Sequence, residues 1–123
     1  MKPEFIIIIP TYNRAHTLMR ALRGVLWQSY PNWELIIIDD GSTDSTKEVV
    51  GEVQDSRVQY YHQENKMVAA ARNHGIRVSA GEYICFLDSD DEIFADYLSV
   101  FEERLREESH EMLVADTDRK SVV

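Results

Sequence analysis

A single cysteine, Cys85, leaves no internal disulfide to form, and its place in an apolar run reads as a small buried hydrophobe. Five glycines and three prolines are too few for a collagen-like or linker-rich chain. The longest apolar run, Phe5 to Pro10, falls far short of the roughly 20 residues that span a bilayer. No basic region followed by a signal-like apolar core opens the chain, so a cytoplasmic protein is expected. Neither GxGxxG after the first apolar run nor GxxxxGKS/T anywhere is present, which argues against the usual dinucleotide-cofactor fold and against P-loop NTPases. His16, His62, His74 and His110 have no metal-ligand spacing and Ser42 has no evident histidine partner, so zinc sites and nucleophilic triads find no support.

Positive charge is also scarce. Thirteen Lys and Arg against 22 Asp and Glu give a net charge of -9, which speaks against a general affinity for nucleic acid or anionic membrane surfaces. Residues 81–116 carry twelve of the acids and only Arg104 and Arg106 as bases, so the excess is local. Glu102, Glu103, Glu107 and Glu108 read as a solvated helix face. Asp88, Asp90 and Asp91 call for a separate explanation.

What is present is an alternation of strands and helices within one domain, 44% apolar. Phe5 to Ile9, closed by Pro10, is a β-branched run that fits a strand buried on both faces. From Ala15 to Gln28 apolar residues recur at Leu18, Leu22, Val25 and Leu26 with helical spacing, and Asn13 or Thr11 is placed to cap the start. Trp33 to Ile38 is a second buried strand, followed by Asp39-Asp40-Gly41-Ser42. Ser42, Thr43 or Asp44 can cap a helix through Thr46, Val49, Val50 and Val53. Val58 to His62 reads as a third strand, Met67 to Val78 as a helix whose alanines allow close approach to a sheet, and Tyr83 to Leu87 as a fourth strand. Leu98, Phe101 and Leu105 mark a fourth amphipathic helix, and Met112 to Ala115 a fifth strand. This order implies an α/β fold: a predominantly parallel sheet in a Rossmann-like three-layer α/β/α arrangement. With no covering helix after Met112 to Ala115, the domain is expected to occupy residues 1–117 and to be incomplete at its C-terminus. Asp118 to Val123 matches one reading frame of a common sequencing adapter and is expected to be a non-native tail.

In an open parallel sheet, ligands bind beyond the carboxyl ends of the strands. The polar residues collect there: Pro10-Thr11-Tyr12-Asn13, Asp39-Asp40-Gly41-Ser42, Gln63 to Lys66, and Asp88-Ser89-Asp90-Asp91. Like charges gathered at one rim cost energy unless a cation or a hydrogen-bonding ligand joins them. Asp88 and Asp90 can turn two hard oxygen ligands to one point, as Mg2+ or Mn2+ prefers, or simply cap a turn. Asp91 is placed to cap, and Glu92 to face solvent. Asp39 and Asp40 can favour a helix start through the macrodipole, or accept an N–H from a nucleobase or a ribose hydroxyl. Tyr12 can stack on a base or pack at the sheet rim. Arg72 can pair with a rim carboxylate or meet a diphosphate with its planar fork.

Taken in order, Ile6 to Arg14 (IIIIPTYNR), Ser29 to Asp44 (SYPNWELIIIDDGSTD), Gln63-Glu64-Asn65, Ala70 to Ile76 (AARNHGI) and Gly81 to Asp91 (GEYICFLDSDD) resemble the family-2 glycosyltransferases of GT-A fold. The resemblance covers residues 5 to about 105, and its ordered motifs are together highly specific. It implies an inverting transfer of a sugar from a nucleotide-diphosphate donor, often a UDP-sugar, to an acceptor hydroxyl of a glycan or lipid-linked acceptor. It further implies that Pro10, Thr11, Tyr12, Asn13, Asp39, Asp40 and Arg72 serve the nucleotide. Asp88 and Asp90 of the DxD motif would hold Mn2+ or Mg2+ across the diphosphate as a Lewis acid for the leaving group. Polysaccharide biosynthesis, often at the cytoplasmic face of the membrane, is the usual setting. The general base expected of an inverting enzyme would lie beyond Val123, so these residues supply the donor site and are expected to be inactive alone. A noncatalytic nucleotide-binding fragment or interaction module is the alternative. A phosphoaspartate receiver domain or an aspartyl-phosphate hydrolase would place its acids after the first strand, where Pro10-Thr11 stands instead.

Overall fold

Seven residues, Phe5–Thr11, form strand β1, and all of them are buried. Such a strand has to be covered on both faces, which the rest of the chain does. The computed structural model describes residues 3–64, 67–79, 83–107, 113–114 and 121–122. After β1 come helix α1 (Ala15–Leu26), β2 (Trp33–Asp39), α2 (Thr46–Gly51), β3 (Val58–His62), α3 (Met67–Val78), β4 (Tyr83–Phe86) and α4 (Tyr97–Glu107). Two-residue strands β5 (Leu113–Val114) and β6 (Ser121–Val122) complete the order β3-β2-β1-β4-β6-β5. The pairings of β1 with β2, β1 with β4 and β2 with β3 are parallel. Those of β6 with β4 and with β5 are antiparallel. The predominantly parallel α/β sheet is therefore as the sequence predicts, and β5 lies within the span 112–115.

Side chains alternate along a strand, so the sheet divides the core in two. On one face Phe5, Ile7, Ile9, Leu35, Ile37 and Cys85 meet Leu18, Ala21, Leu22 and Val25 of α1, Val50 of α2, and Leu98 and Phe101 of α4. On the other, Ile6, Ile8, Ile36 and Ile38 meet Ala71 of α3. The close approach of α3 comes from Ala71 and Gly75, one turn apart, while Ala69 faces solvent. A Cβ on Gly75 would stand 2.6 Å from Ile8 Cγ2. Cys85 is free and buried, with its Sγ 3.2 Å from the Tyr97 hydroxyl.

The boundaries differ from expectation in ways that matter for the rim. Pro10 does not end β1, which runs on to Thr11 in register with Asp39. β4 pairs with β1 only as far as Ile8, so the missing N–H of Pro10, on that side, costs no ladder bond. Neither Thr11 nor Asn13 caps α1: the Ala15 amide donates to Asp44 Oδ2 at 3.1 Å, from the loop after β2. Asn13 instead takes φ 51, a left-handed conformation that Asn tolerates. There its amide donates to Ser42 Oγ at 2.8 Å, and its Oδ1 accepts the Thr43 amide at 2.8 Å and that of Asp44 at 3.3 Å. The loops after β1 and β2 are thereby latched together. Asp44 also accepts from the amide and hydroxyl of Thr46, and the hydroxyl bond above all holds its carboxyl below the ordinary value.

Candidate functional site

The connection from β3 through α3 returns across the sheet, so β2 and β3 lie on one side of β1 and β4 on the other. Loops leaving the carboxyl ends of β1 and β4 consequently part, and a crevice opens between them. A cavity of about 380 Å³ occupies it, lined by Pro10, Thr11, Tyr12 and Arg14 after β1, Asp40 after β2, Ala71 of α3, and Asp88, Ser89 and Asp90 after β4.

Backbone geometry aims these groups. Gly41 at φ 87 lets the chain turn sharply after Asp40, and Asp39 Oδ1 secures the turn by accepting the Ser42 amide at 2.9 Å. Asp39 Oδ2 accepts the Tyr60 hydroxyl at 2.5 Å. Burial first, and that bond second, push the Tyr60 phenol well above its ordinary value. Asp40 is also buried, and its amide donates to the Thr11 carbonyl at 2.9 Å. Its Oδ1 accepts from Gln63 Nε2 and its Oδ2 from the Met67 amide, both at 2.8 Å. Thr11 is buried beside it with no hydrogen-bond partner for Oγ1. Tyr12, by contrast, is 45% exposed, its ring available at the mouth.

Across the cavity the Asp88 amide donates to Asp91 Oδ2 at 3.0 Å and the Asp91 amide to the Asp88 carbonyl at 3.0 Å. This tight turn brings carboxylate oxygens of Asp88, Asp90 and Asp91 within 4.8 Å of one another. Arg72 Nη2 stands 3.9 Å from Asp88 Oδ1, and its guanidinium lies 5.6 Å from the Phe86 ring centre. Its Nε is buried without a partner.

The model of the family described as "Glycosyl transferase family 2" matches residues 6–123. The chain belongs to glycosyltransferase family 2. Its relatives include an uncharacterized glycosyltransferase of Rickettsia conorii, 45% identical over 95 residues that make up 76% of this chain and 16% of that protein. Another is the UDP-Glc:alpha-D-GlcNAc-diphosphoundecaprenol beta-1,3-glucosyltransferase WfgD of Escherichia coli, 45% identical over 86 residues, 69% of this chain and 34% of that one. Among solved structures, Staphylococcus aureus TarS 1–349 superposes with a TM-score of 0.82 at 27% identity, covering 90% of this chain and 34% of TarS 1–349. The chain thus spans about a sixth to a third of the length of these family-2 proteins. The likeness to TarS bears out the GT-A type of α/β fold.

In this family-2 chain the acidic cluster fits a divalent cation: three converging carboxylates, with no histidine or cysteine among them, form a hard oxygen set suited to Mg2+ or Mn2+. Of the residues singled out in the sequence, Pro10, Thr11, Tyr12, Asp40, Asp88 and Asp90 line one cavity. Arg72 stands beside it through Asp88. Asn13 and Asp39 do not line it; they hold the loops that do. Sequence reasoning missed Arg14 and Ser89 as lining residues, and the Gln63 and Met67 groups that grip Asp40. The signal for Gln63 was its place at the end of a strand neighbouring Asp40's own. A backbone amide such as that of Met67 leaves no signal at all.

Proposed function

We propose that the crevice between β1 and β4 is the donor site of a nucleotide-sugar glycosyltransferase. The observation that carries this reading is the convergence of a gripped acceptor, Asp40, with Asp88 and Asp90 of the acidic cluster in the lining of one cavity. A nucleoside diphosphate has that polarity: a base with N–H groups at one end, two phosphates needing countercharge at the other. The base lies against Tyr12, Asp40 accepts its N–H, and the unpartnered Thr11 hydroxyl takes a further hydrogen bond of the nucleoside. Arg72 offers its fork to the diphosphate. Asp88 and Asp90 would hold a divalent cation, which when bound stabilises the charge on the departing nucleotide. Transfer proceeds by a single displacement: an acceptor hydroxyl oxygen bonds to the anomeric carbon, the bond from that carbon to the diphosphate oxygen breaks, and a general base takes the hydroxyl proton. In this reading the chain supplies donor binding, and its 123 residues alone are expected to transfer no sugar.

Support comes from the neighbours: TarS 1–349 is known in complex with UDP-GlcNAc, and the mannosyltransferase PcManGT of Pyrobaculum calidifontis, 28% identical with a TM-score of 0.73 over 80% of this chain and 31% of that one, in complex with GDP-Man and Mn2+. WfgD is named for a lipid-linked acceptor, the acceptor class we propose here, encountered at the cytoplasmic face of a membrane. The test is a melting titration with UDP, GDP, TDP and CDP, each with Mn2+ or EDTA. A ligand at a hundred times its Kd adds about 2.7 kcal/mol, a rise of several degrees. Metal-dependent stabilisation by one nucleotide, lost in Asp90→Ala, is expected; a folded chain that responds to none overturns the donor site.

A further inference from the structure

Asp40 is held by more than its own loop. Gln63 follows β3, and its Nε2 donates to Asp40 Oδ1 at 2.8 Å. The other end of the same amide, Oε1, lies 3.0 Å from Nδ1 of His74 on α3. The His74 ring packs against Tyr61, centroids 5.5 Å apart, and Gln63's own amide is tied to the Asp39 carbonyl at 2.9 Å. Hydrogen-bond chemistry orients this chain uniquely. A carboxylate only accepts, so the Gln63 atom facing Asp40 is the NH2; the atom facing His74 is then the carbonyl oxygen, and His74 Nδ1 carries a proton. His74 follows Ala71 of the cavity wall by three residues along α3 and is not itself part of that wall.

We propose that His74 and Gln63 are positioning residues that hold the Asp40 carboxylate in place and so sharpen its selection of nucleobases offering an N–H at its position. This rests on the donor-site reading above. A base with an imide or lactam N–H, as in uracil, thymine or guanine, meets the Asp40 carboxylate favourably. Cytosine presents a ring-nitrogen lone pair at the corresponding place and is rejected by the facing oxygens. The relay joins the ends of β2 and β3 to α3, the helix that covers β1 and β2, so the specificity of a residue after β2 is set from that helix.

The sharpest probe is a pair of nearly isosteric variants. In His74→Asn the side-chain NH2 stands where Nδ1–H stood and keeps the relay. In His74→Asp a carboxylate replaces it; the Gln63 amide turns its NH2 toward residue 74 and its carbonyl toward Asp40, and the grip is lost. UDP and CDP are titrated by calorimetry with Mn2+ against wild type and both variants, with circular dichroism confirming the fold. The ratio of the two dissociation constants is the readout, because the added charge of His74→Asp weakens both nucleotides alike. The wild type is expected to prefer UDP by roughly tenfold or more, His74→Asn to keep most of that preference, and His74→Asp to lose it. Gln63→Leu, which deletes the middle link, is expected to lose it as well and serves where His74→Asp does not fold. A wild type selective for UDP with unchanged ratios in His74→Asp and Gln63→Leu overturns the relay alone. A wild type that binds both nucleotides equally overturns base selection. One that binds neither of these, nor GDP or TDP, defeats the donor site itself.

Discussion

Single residues in this protein are constrained by where their polar atoms end, as Glu34 shows on the side of the molecule away from the site. It is the one residue of β2 that is not fully buried, yet its Oε1 is enclosed without a hydrogen-bond partner. Desolvation raises its carboxyl above the ordinary value of 4.5. A carboxyl raised in the native state contributes stability that is present below its unfolded value and is lost as pH climbs through the folded one. Glu34→Gln is therefore expected to raise Tm at pH 7 by a few degrees, with the gain vanishing below about pH 4, where both side chains are neutral; a melting series against pH checks it, and an equal gain at every pH refutes the assignment. At this scale the site was partly legible. Asp88 and Asp90 were visible because two carboxylates abutting an apolar strand are unusual. Asn13 and Asp39 were visible as polar rim residues, but their use as loop latches was not, since it depends on partners about 30 positions away and three residues away respectively, on a loop whose path only the fold decides.

Elements were readable from periodicity and apolar runs, and the four parallel strands fall where the sequence predicts them. What periodicity does not carry is how near two elements come. The helix α3 is short of large residues, and the structure shows why only two of the small ones matter: Ala71 and Gly75 face the sheet, with Gly75 against Ile8. Gly75→Ala is expected to cost about 1–3 kcal/mol from overpacking, despite the better helix propensity of alanine, measured by urea unfolding. An Ile8→Val background, which opens space at the contact, is expected to return part of the loss. Gln28 is a second case of hidden contact. Read from sequence it only ends α1; in the fold it is buried, with Nε2 donating to the carbonyls of Gly24 and Phe94 and Oε1 accepting the Leu98 amide. One side chain thus joins α1 to the segment that enters α4, replacing the strand pairing that would otherwise fix that segment.

For the molecule as a whole, charge and ionisation are unevenly spread. The acids concentrate after β4, while two tyrosines tie the chain at opposite ends of the sheet. Tyr30 donates to Glu4 at 2.6 Å, and burial followed by that bond pushes its phenol up from 10.0 to about 12. Tyr60 is raised in the same direction, by burial and then Asp39. Both hold their protons in the native chain after the unfolded chain has lost them, so their contribution to stability is constant below pH 10 and falls as pH rises from about 10 to 12. Tyr30→Phe is expected to flatten that alkaline limb while lowering stability at pH 7 by about 1 kcal/mol for the lost hydrogen bond, read from urea midpoints across the range.

The reversal of strand order at β1 has a temporal side. β1, β2 and β3 succeed one another along the chain and are neighbours in space, so they can assemble from nearby contacts; β4 reaches β1 only after the whole intervening stretch has been threaded past, pairing Phe5 with Tyr83. Distant closures of this kind come late because their entropy is lost before their contacts form. The crevice is therefore expected to form after the β1–β2–β3 half of the sheet. Whatever spans Asp40 and Asp88 acts as a clasp on that late-pairing strand, holding the finished molecule shut without hastening its making.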